Sequence, residues 1–357
     1  MMQIVYILLA VIGFGILIFV HEFGHFVAAK ACGVKVLEFA LGMGPAIWKK
    51  QGKETLFSLR AFPIGGFCAM EGEDEDTGDE RAFSAQSAWK RMIILVAGAA
   101  MNFVFGLLFI LIVFSQAAGF STPTITAFMD GCPYEGENAL MVGDTIHEID
   151  GHRIFFTSNV STYMTRSGSS VHDIVLMRDG KKVELNNFNM PLVEYKTEDG
   201  GTEMKYGLYF GVTETGLWSN IKYSWYCALD FVRLVWESLG DFITGAVGFS
   251  EMAGPVGVVD AVSSVATQSE GFGDALNNII YFFALIAINL AVMNLLPIPA
   301  LDGGRVFFLL VTSLIQLVTK RKLNPKYEGY IHTAGFVLLI GLSIVVMFND
   351  FLRIFRG

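Results

Sequence analysis

The run His21-Glu22-Phe23-Gly24-His25 sets two imidazoles four residues apart with a carboxylate beside the first. On an α-helix, residues four apart share a face, so His21 and His25 can aim two ring nitrogens at one cation. Glu22 stands about 100° round the helix, near enough to reach a water on the metal without ligating the metal itself. Zinc lowers the pKa of such a water toward about 7, and the glutamate can take its proton and hand it to a leaving amine. The chemistry is amide hydrolysis. HExxH is short enough to arise by chance, and in a soluble chain two surface histidines are the plain reading. Here the motif follows Ile4–Val20, a stretch without a charge, and a charged group at bilayer depth costs about 2.5–3.5 kcal/mol on insertion scales. Three ionisable groups buried together need a shared partner, which a metal supplies. About 25 Å of helix precedes His21 at 1.5 Å per residue, which puts the motif in the cytoplasmic half of the membrane.

Zinc takes a third protein ligand and keeps a fourth position for water. The best candidate lies far downstream, in Asn294-Leu295-Leu296-Pro297-Ile298-Pro299-Ala300-Leu301-Asp302-Gly303-Gly304. Two prolines and two glycines interrupt an apolar run there, which predicts unwound backbone inside the bilayer, and Asp302 is its only carboxylate. Asp302 can ligate, or it can cap a helix that begins near Arg305, and the roles can coexist. A second histidine pair, His147 and His152, is spaced by five in a strand-turn pattern ending in Asp150-Gly151, and reads as surface turn residues. His172 and His332 have no clustered partners along the sequence and read as structural.

These groups need a membrane scaffold, and the composition provides one. Hydrophobic residues make up 53% of the 357 and charged residues 17%, with a mean hydropathy of +0.51, values outside the range of a soluble domain. Uncharged runs at Ile4–Val20, Met92–Phe114, Ile279–Leu296 and Thr333–Phe348 predict four transmembrane helices, with room for the third to break and continue through Val306–Val318. Met1-Met2-Gln3 has neither the basic segment nor the cleavage site of a signal peptide, so the first span is expected to be retained. Cys32, Cys68, Cys132 and Cys227 are scattered without CxxC spacing, which argues against a disulfide framework and a cysteine zinc site and predicts free thiols. The net charge of −9 owes much to the acidic run Glu71–Glu80 and offers no basic surface for nucleic acid. Lysine and arginine crowd the loops at 30–91 and 320–326, which makes both loops cytoplasmic and puts both termini and the long middle segment outside. Arg353 and Arg356 count slightly against this orientation.

Four regions follow. Residues 1–120 hold the first two spans and a loop in which Val36–Met70 is rich in Phe, Gly and Pro and Glu54–Arg60 alternates like a strand. That hairpin can dip into the membrane beside the site or be an ordinary cytoplasmic hairpin, and Asp74–Gly78 reads as a solvated turn. Residues 121–212 turn polar and strand-like, with turn signals at Asp150-Gly151, Asp179-Gly180 and Asp199-Gly200-Gly201, and predict a β-rich domain outside the membrane. Residues 213–278 include Trp218–Phe249, apolar and aromatic at helical spacing but dotted with charges, which fits an amphipathic helix on the membrane surface. Residues 279–357 hold the last two spans.

The pairing of HEFGH on the first span with Asn294–Gly304 on the third resembles the site-2 protease family of intramembrane zinc metalloproteases, most closely its bacterial RseP/RasP branch. HExxH matches residues 21–25, and NxxPxPxLDGG matches residues 294–304 at every fixed position. The resemblance covers nearly the whole chain. It implies that His21, His25 and Asp302 bind Zn2+, that Glu22 is the general base, and that Asn294, Pro297 and Pro299 help hold an unwound substrate strand. Gly98-Ala99-Ala100-Met101-Asn102 matches the family's GxxxN pattern, with Asn102 facing the site as a substrate-binding residue; Ala99 stands where a proline is usual. Pro63-Ile64-Gly65-Gly66 resembles the turn after the family's membrane-associated β-hairpin. Gly143–Gly151 matches the GDxIxxIDG of a single PDZ-like domain, although Asn138-Ala139-Leu140 departs from the commoner Ala-Gly-Leu and puts a peptide groove in doubt. Met252–Gly257 looks like the segment leading into the third span. The implied architecture is a polytopic α-helical membrane protein with four transmembrane helices, a membrane-associated β-hairpin and an inserted PDZ-like domain.

The leading function is intramembrane proteolysis of single-pass transmembrane proteins in a bacterial inner membrane, with anti-sigma factors or remnant signal peptides as substrates and the PDZ-like domain extracytoplasmic. A metal-ion transporter could use the same ligands, but it has no need of Glu22 and would usually show repeated halves. A catalytically dead scaffold is disfavoured by the intact set of His21, Glu22, His25 and Asp302.

Overall fold

A computed structural model describes residues 2–73, 77–196, 200–248, 254–269, 271–320 and 325–356. Outside them lie residues 74–76 of the turn expected at Asp74–Gly78, Asp199 of the turn at 199–201, Phe249, Met252 and Ala253, and Arg321 and Lys322 of the second basic loop. In chain order the elements are α1 (Met2–Ala31), β1 (Val36–Gln51), β2 (Leu56–Met70), α2 (Ala88–Phe114), β3 (Gly119–Phe128), β4 (Thr145–Ile149), β5 (His152–Arg153) and α3 (Thr157–Arg166). They continue through β6 (Val171–Arg178), β7 (Lys181–Asn189), β8 (Val193–Lys196), β9 (Thr202–Lys205), β10 (Leu208–Glu214), α4 (Leu217–Thr244), α5 (Pro255–Thr267), α6 (Phe272–Asn294), α7 (Asp302–Thr319) and α8 (Pro325–Arg356). The chain forms two compact units, Met1–Val113 with Phe231–Gly357, and Phe114–Asp230.

In the first unit, among the described residues, five helices (α1, α2, α6, α7 and α8) are long and apolar enough to cross a membrane. The amphipathic α4 is not among them. α7 covers the stretch that the sequence left open as a continuation of the third run. Large apolar side chains stay exposed along these helices, Ile12, Val104, Leu338 and Phe348 among them, a surface that hydrocarbon accepts and water does not. Inside, Tyr6, Leu17, Ile279 and Phe283 form one core, and Phe39, Met70, Phe83, Ile94 and Leu309 form another under the hairpin. α1 runs straight through the histidine motif and stops at Gly33, whose φ of 84° lets Val34 N–H return to Ala29 C=O and Gly33 N–H to Lys30 C=O, a Schellman closure. α6 ends at Asn294 because Pro297 and Pro299 cannot donate to a continuing helix.

β1 and β2 are long antiparallel partners that double over. Residues 38–41 stand opposite both 66–69 and 56–59, with Val36 opposite Met70, while 46–51 stand opposite 56–60. Gly42, Gly44 and Gly65 take positive φ at the bends. The result is four short segments in which 66–70 pairs on one side alone.

The second unit is a sheet in the order β10-β3-β4-β6-β7, with β5 on β4, a separate β8–β9 hairpin, and α3. Its core gathers Ile125, Leu140, Ile146, Ile149, Met164 and Leu176. Asp150-Gly151 and Asp179-Gly180 both take positive φ, as two-residue hairpin turns require. Buried Asp144 is gripped by Arg178 through two 2.7 Å bonds, and the same guanidinium donates to the Glu137 and Ala139 carbonyls.

Candidate metal centre

α1 and α2 cross at two glycines. A Cβ on Gly24 would lie 2.9 Å from the Ala97 carbonyl carbon, and one on Gly98 would lie 2.8 Å from both His21 Cε1 and His25 Cε1. The rings therefore occupy space that any other residue at 98 would take. Each ring is also held from behind. His25 Nδ1 is 2.8 Å from the Ile94 carbonyl, so it donates there and leaves Nε2 as a lone-pair donor. The Asn102 carboxamide is 3.3 Å from His21 Nδ1. The amide nitrogen is the nearer atom, and the oxygen is buried without a hydrogen bond. Turned about, the carboxamide would accept the Nδ1–H, the tautomer that leaves a lone pair on His21 Nε2 as on His25 Nε2.

Asp302 meets them there. Its Oδ2 is 3.2 Å from His21 Nε2 and 3.2 Å from His25 Nε2, and the two Nε2 atoms are themselves 3.2 Å apart. Helix α7 begins at Asp302 with Leu301 at its N-cap and no side-chain cap bond, so the Asp302 carboxylate is not used to cap the helix and is turned to the histidine pair. Gly303 lets the turn pack: a Cβ there would collide with the Leu295 and Leu296 carbonyls. Three acceptors converging without a donor repel one another unless a cation or a shared proton lies among them. Tetrahedral zinc with bonds of about 2.0–2.1 Å sets its ligand atoms about 3.3–3.4 Å apart, and the observed edges fit. Among the described residues these three form the one such cluster of His, Cys, Asp or Glu side chains.

Glu22 is half-buried beside the pair and faces the hairpin. A Cβ on Gly66 would come within 3.1 Å of Glu22 Cγ, so the start of the one-sided segment 66–70 packs against the Glu22 side chain. Beyond it, Glu73 forms an ion pair with Arg305, one turn after Asp302 on α7. Asn294 ends α6 half-buried, Pro297 is exposed and Pro299 half-buried, all in the link that leads to Asp302. That link is braced by α8: His332 Nδ1 accepts the Ala300 N–H at 3.0 Å while Ala300 holds a φ of 77°, and a Cβ on Gly335 would lie 2.9 Å from the Pro299 carbonyl.

The structure gives two of these residues specific partners. Asn102, 1% exposed, stands against His21. His332, read from sequence as structural, accepts the Ala300 N–H in the link that leads to Asp302. Spacing offered a clue to Asn102, which falls on the face of α2 that carries Gly98, and none to His332. The other histidines stay apart: His147 contacts Arg153, His152 stacks on Tyr163, and His172 bonds Asp150 at 2.8 Å. The four cysteines are free, and burial pushes the Cys68 thiol up to about 12, so it stays protonated and a poor metal ligand.

The sequence profile of peptidase family M50 matches residues 9–342. A protein of Clostridium acetobutylicum, named as a candidate zinc metalloprotease, is 34% identical over 350 residues, covering 96% of this chain and 96% of its own length. A similarly named protein of Clostridium perfringens is 32% identical over 347 residues, covering 97% and 98%. The regulator of sigma-W protease RasP of Bacillus subtilis is 25% identical over 427 aligned positions, again 97% and 98% of the two chains.

Proposed function

The chain belongs to peptidase family M50, and from that membership we propose that it is a zinc metalloendopeptidase that cuts peptide bonds within transmembrane segments of single-pass membrane proteins. The observation that carries this reading is the 3.2 Å triangle of His21 Nε2, His25 Nε2 and Asp302 Oδ2, built on helices with lipid-compatible surfaces. In this proposal His21, His25 and Asp302 hold Zn2+. When bound, zinc supplies the Lewis acid and brings the pKa of a water toward about 7. Glu22 takes the proton of the attacking water and returns it to the leaving amine. Asn102 and the Ile94 carbonyl fix the two imidazoles in the ligating tautomer.

A transmembrane helix hides its amides in internal hydrogen bonds, so a substrate must be extended before it can be cut. Segment 66–70, whose start lies against Glu22, has a strand partner on one side alone and can take such a strand by edge pairing, while Asn294, Pro297 and Pro299 bound the opposite approach. We assign four crossings, with α6 and α7 as one crossing interrupted at the link that carries Asp302. The second unit is read as a PDZ-like domain on the extracytoplasmic face of a bacterial inner membrane, where it excludes substrates with bulky outer parts. Anti-sigma factors and remnant signal peptides are the substrates this reading favours, and the sigma-W name of the Bacillus relative agrees with the first.

The test compares the purified chain with Glu22→Gln for bound zinc and for cleavage of a transmembrane reporter. Equal zinc is expected, with cleavage reduced about 10²–10⁴-fold in the variant. Equal cleavage by both, or metal flux into liposomes without cleavage, would overturn the proposal.

A further inference from the structure

A second cavity lies within the Phe114–Asp230 unit, far along the sequence from the zinc ligands. It encloses about 320 Å³, and none of its thirteen lining residues is acidic. Arg153 and Lys222 bring nitrogen donors to it, with His147 Nε2 accepting from Arg153, Thr122, Thr124, Thr145 and Thr213 bring hydroxyls, and Tyr223 and Tyr226 form one wall. Lys222 Nζ stands 5.4 Å from the Tyr223 ring centre and 5.6 Å from that of Tyr226, held at the mouth by cation–π attraction. Burial, with the Arg153 charge, keeps the His147 imidazole below its ordinary range. The positive charge at neutral pH is therefore that of Arg153 and Lys222.

The surroundings say where this cavity works. Phe114, the last residue of an apolar span, packs on Phe120 at 5.2 Å, and Phe120 stacks on Tyr223 at 4.6 Å. Two ring contacts separate the end of the span from the cavity wall. On α4, Trp218, Lys222 and Trp225 fall on one face by helical spacing, and the two tryptophans are 80% and 45% exposed. Exposed tryptophan beside tyrosine and lysine at the end of a span is the composition of the lipid headgroup layer.

We infer that this cavity binds the phosphate headgroup of an anionic phospholipid, with Lys222 and Arg153 on the phosphate, the threonine hydroxyls on its oxygens, and Trp218 and Trp225 among the neighbouring acyl chains. A soluble phosphate offers the same charge but gains nothing from the tryptophan face.

The full chain in detergent is titrated with phosphatidylglycerol or phosphatidylcholine of identical acyl chains, and separately with inorganic phosphate and glycerol 3-phosphate, and bound molecules are counted by native mass spectrometry. Preferential retention of phosphatidylglycerol is expected, weakened about fivefold in Lys222→Gln and further in the double variant with Arg153→Gln. Lys196→Gln, which removes an exposed charge on β8, is expected to bind as the unmodified chain does. Equal binding of both lipids, equal losses in Lys196→Gln and Lys222→Gln, or inorganic phosphate binding as tightly as the lipid would overturn the inference. Lys222 is solvent-exposed, so its replacement tests binding without threatening the fold.

Discussion

Asn102 and Gly98 stand behind the histidine pair of the proposed metal centre. Asn102 sits four residues beyond Gly98 on α2, and the two act together: one makes room for the imidazoles and the other orients His21. Replacing Asn102 by Leu is expected to lower zinc affinity about 10–100-fold, the usual effect of removing a group behind a ligand, measured by competition with a chelator. Asn102→Asp keeps an acceptor oxygen and is expected to retain most of that affinity; loss equal to that of Asn102→Leu would refute the orienting role. Gly98→Val drives side-chain atoms into both rings and is expected to yield folded protein with little zinc, read by metal analysis beside circular dichroism. At this scale the sequence was legible where the chemistry is local. The i,i+4 pair fixes His21 and His25 on one face, and Asp302 was the only carboxylate of its segment. The partner of Asn102 was hidden because it depends on where two helices, far apart in sequence, happen to cross.

The segments between helices carry as much of the design as the helices. Residues 295–301 deliver Asp302 through an interrupted backbone, and α8 braces that interruption through His332 on Ala300 and Gly335 on Pro299. Gly335→Leu would push α8 off the link. It is expected to cost about 1–3 kcal/mol, the range for overpacked interiors, seen as a lower unfolding midpoint in detergent together with faster zinc loss to a chelator. An unchanged rate of zinc loss would show that α8 does not hold the ligand turn. The prolines made the break in α6 readable from sequence. The doubling of the hairpin was not readable, because its register follows from bends at Gly42, Gly44 and Gly65 that bring 38–41 between two partners, and a pattern of alternating polarity records only one pairing at a time.

For the molecule as a whole, hydropathy located the apolar runs but could not say whether α6 and α7 cross separately or share one crossing. Each is apolar enough alone, and the unwound link between them reads equally well as a surface loop. The basic loops offer a separate handle on topology. In a cysteine-free background, Lys182→Cys on β7 is expected to react with a membrane-impermeant maleimide on intact cells, and Lys53→Cys in the hairpin turn only after permeabilisation. Both side chains are exposed, so the opposite pattern would invert the assigned orientation. The one-sided pairing of residues 66–70 also bears on selectivity. Ladder bonding engages main-chain amides and is nearly blind to side chains, so a protease that receives its guest this way sorts candidates by how readily each gives up its coil. Within a buried span, one glycine in place of alanine eases that release by about 1 kcal/mol, roughly a fivefold advantage for a sequence carrying no recognition motif at all.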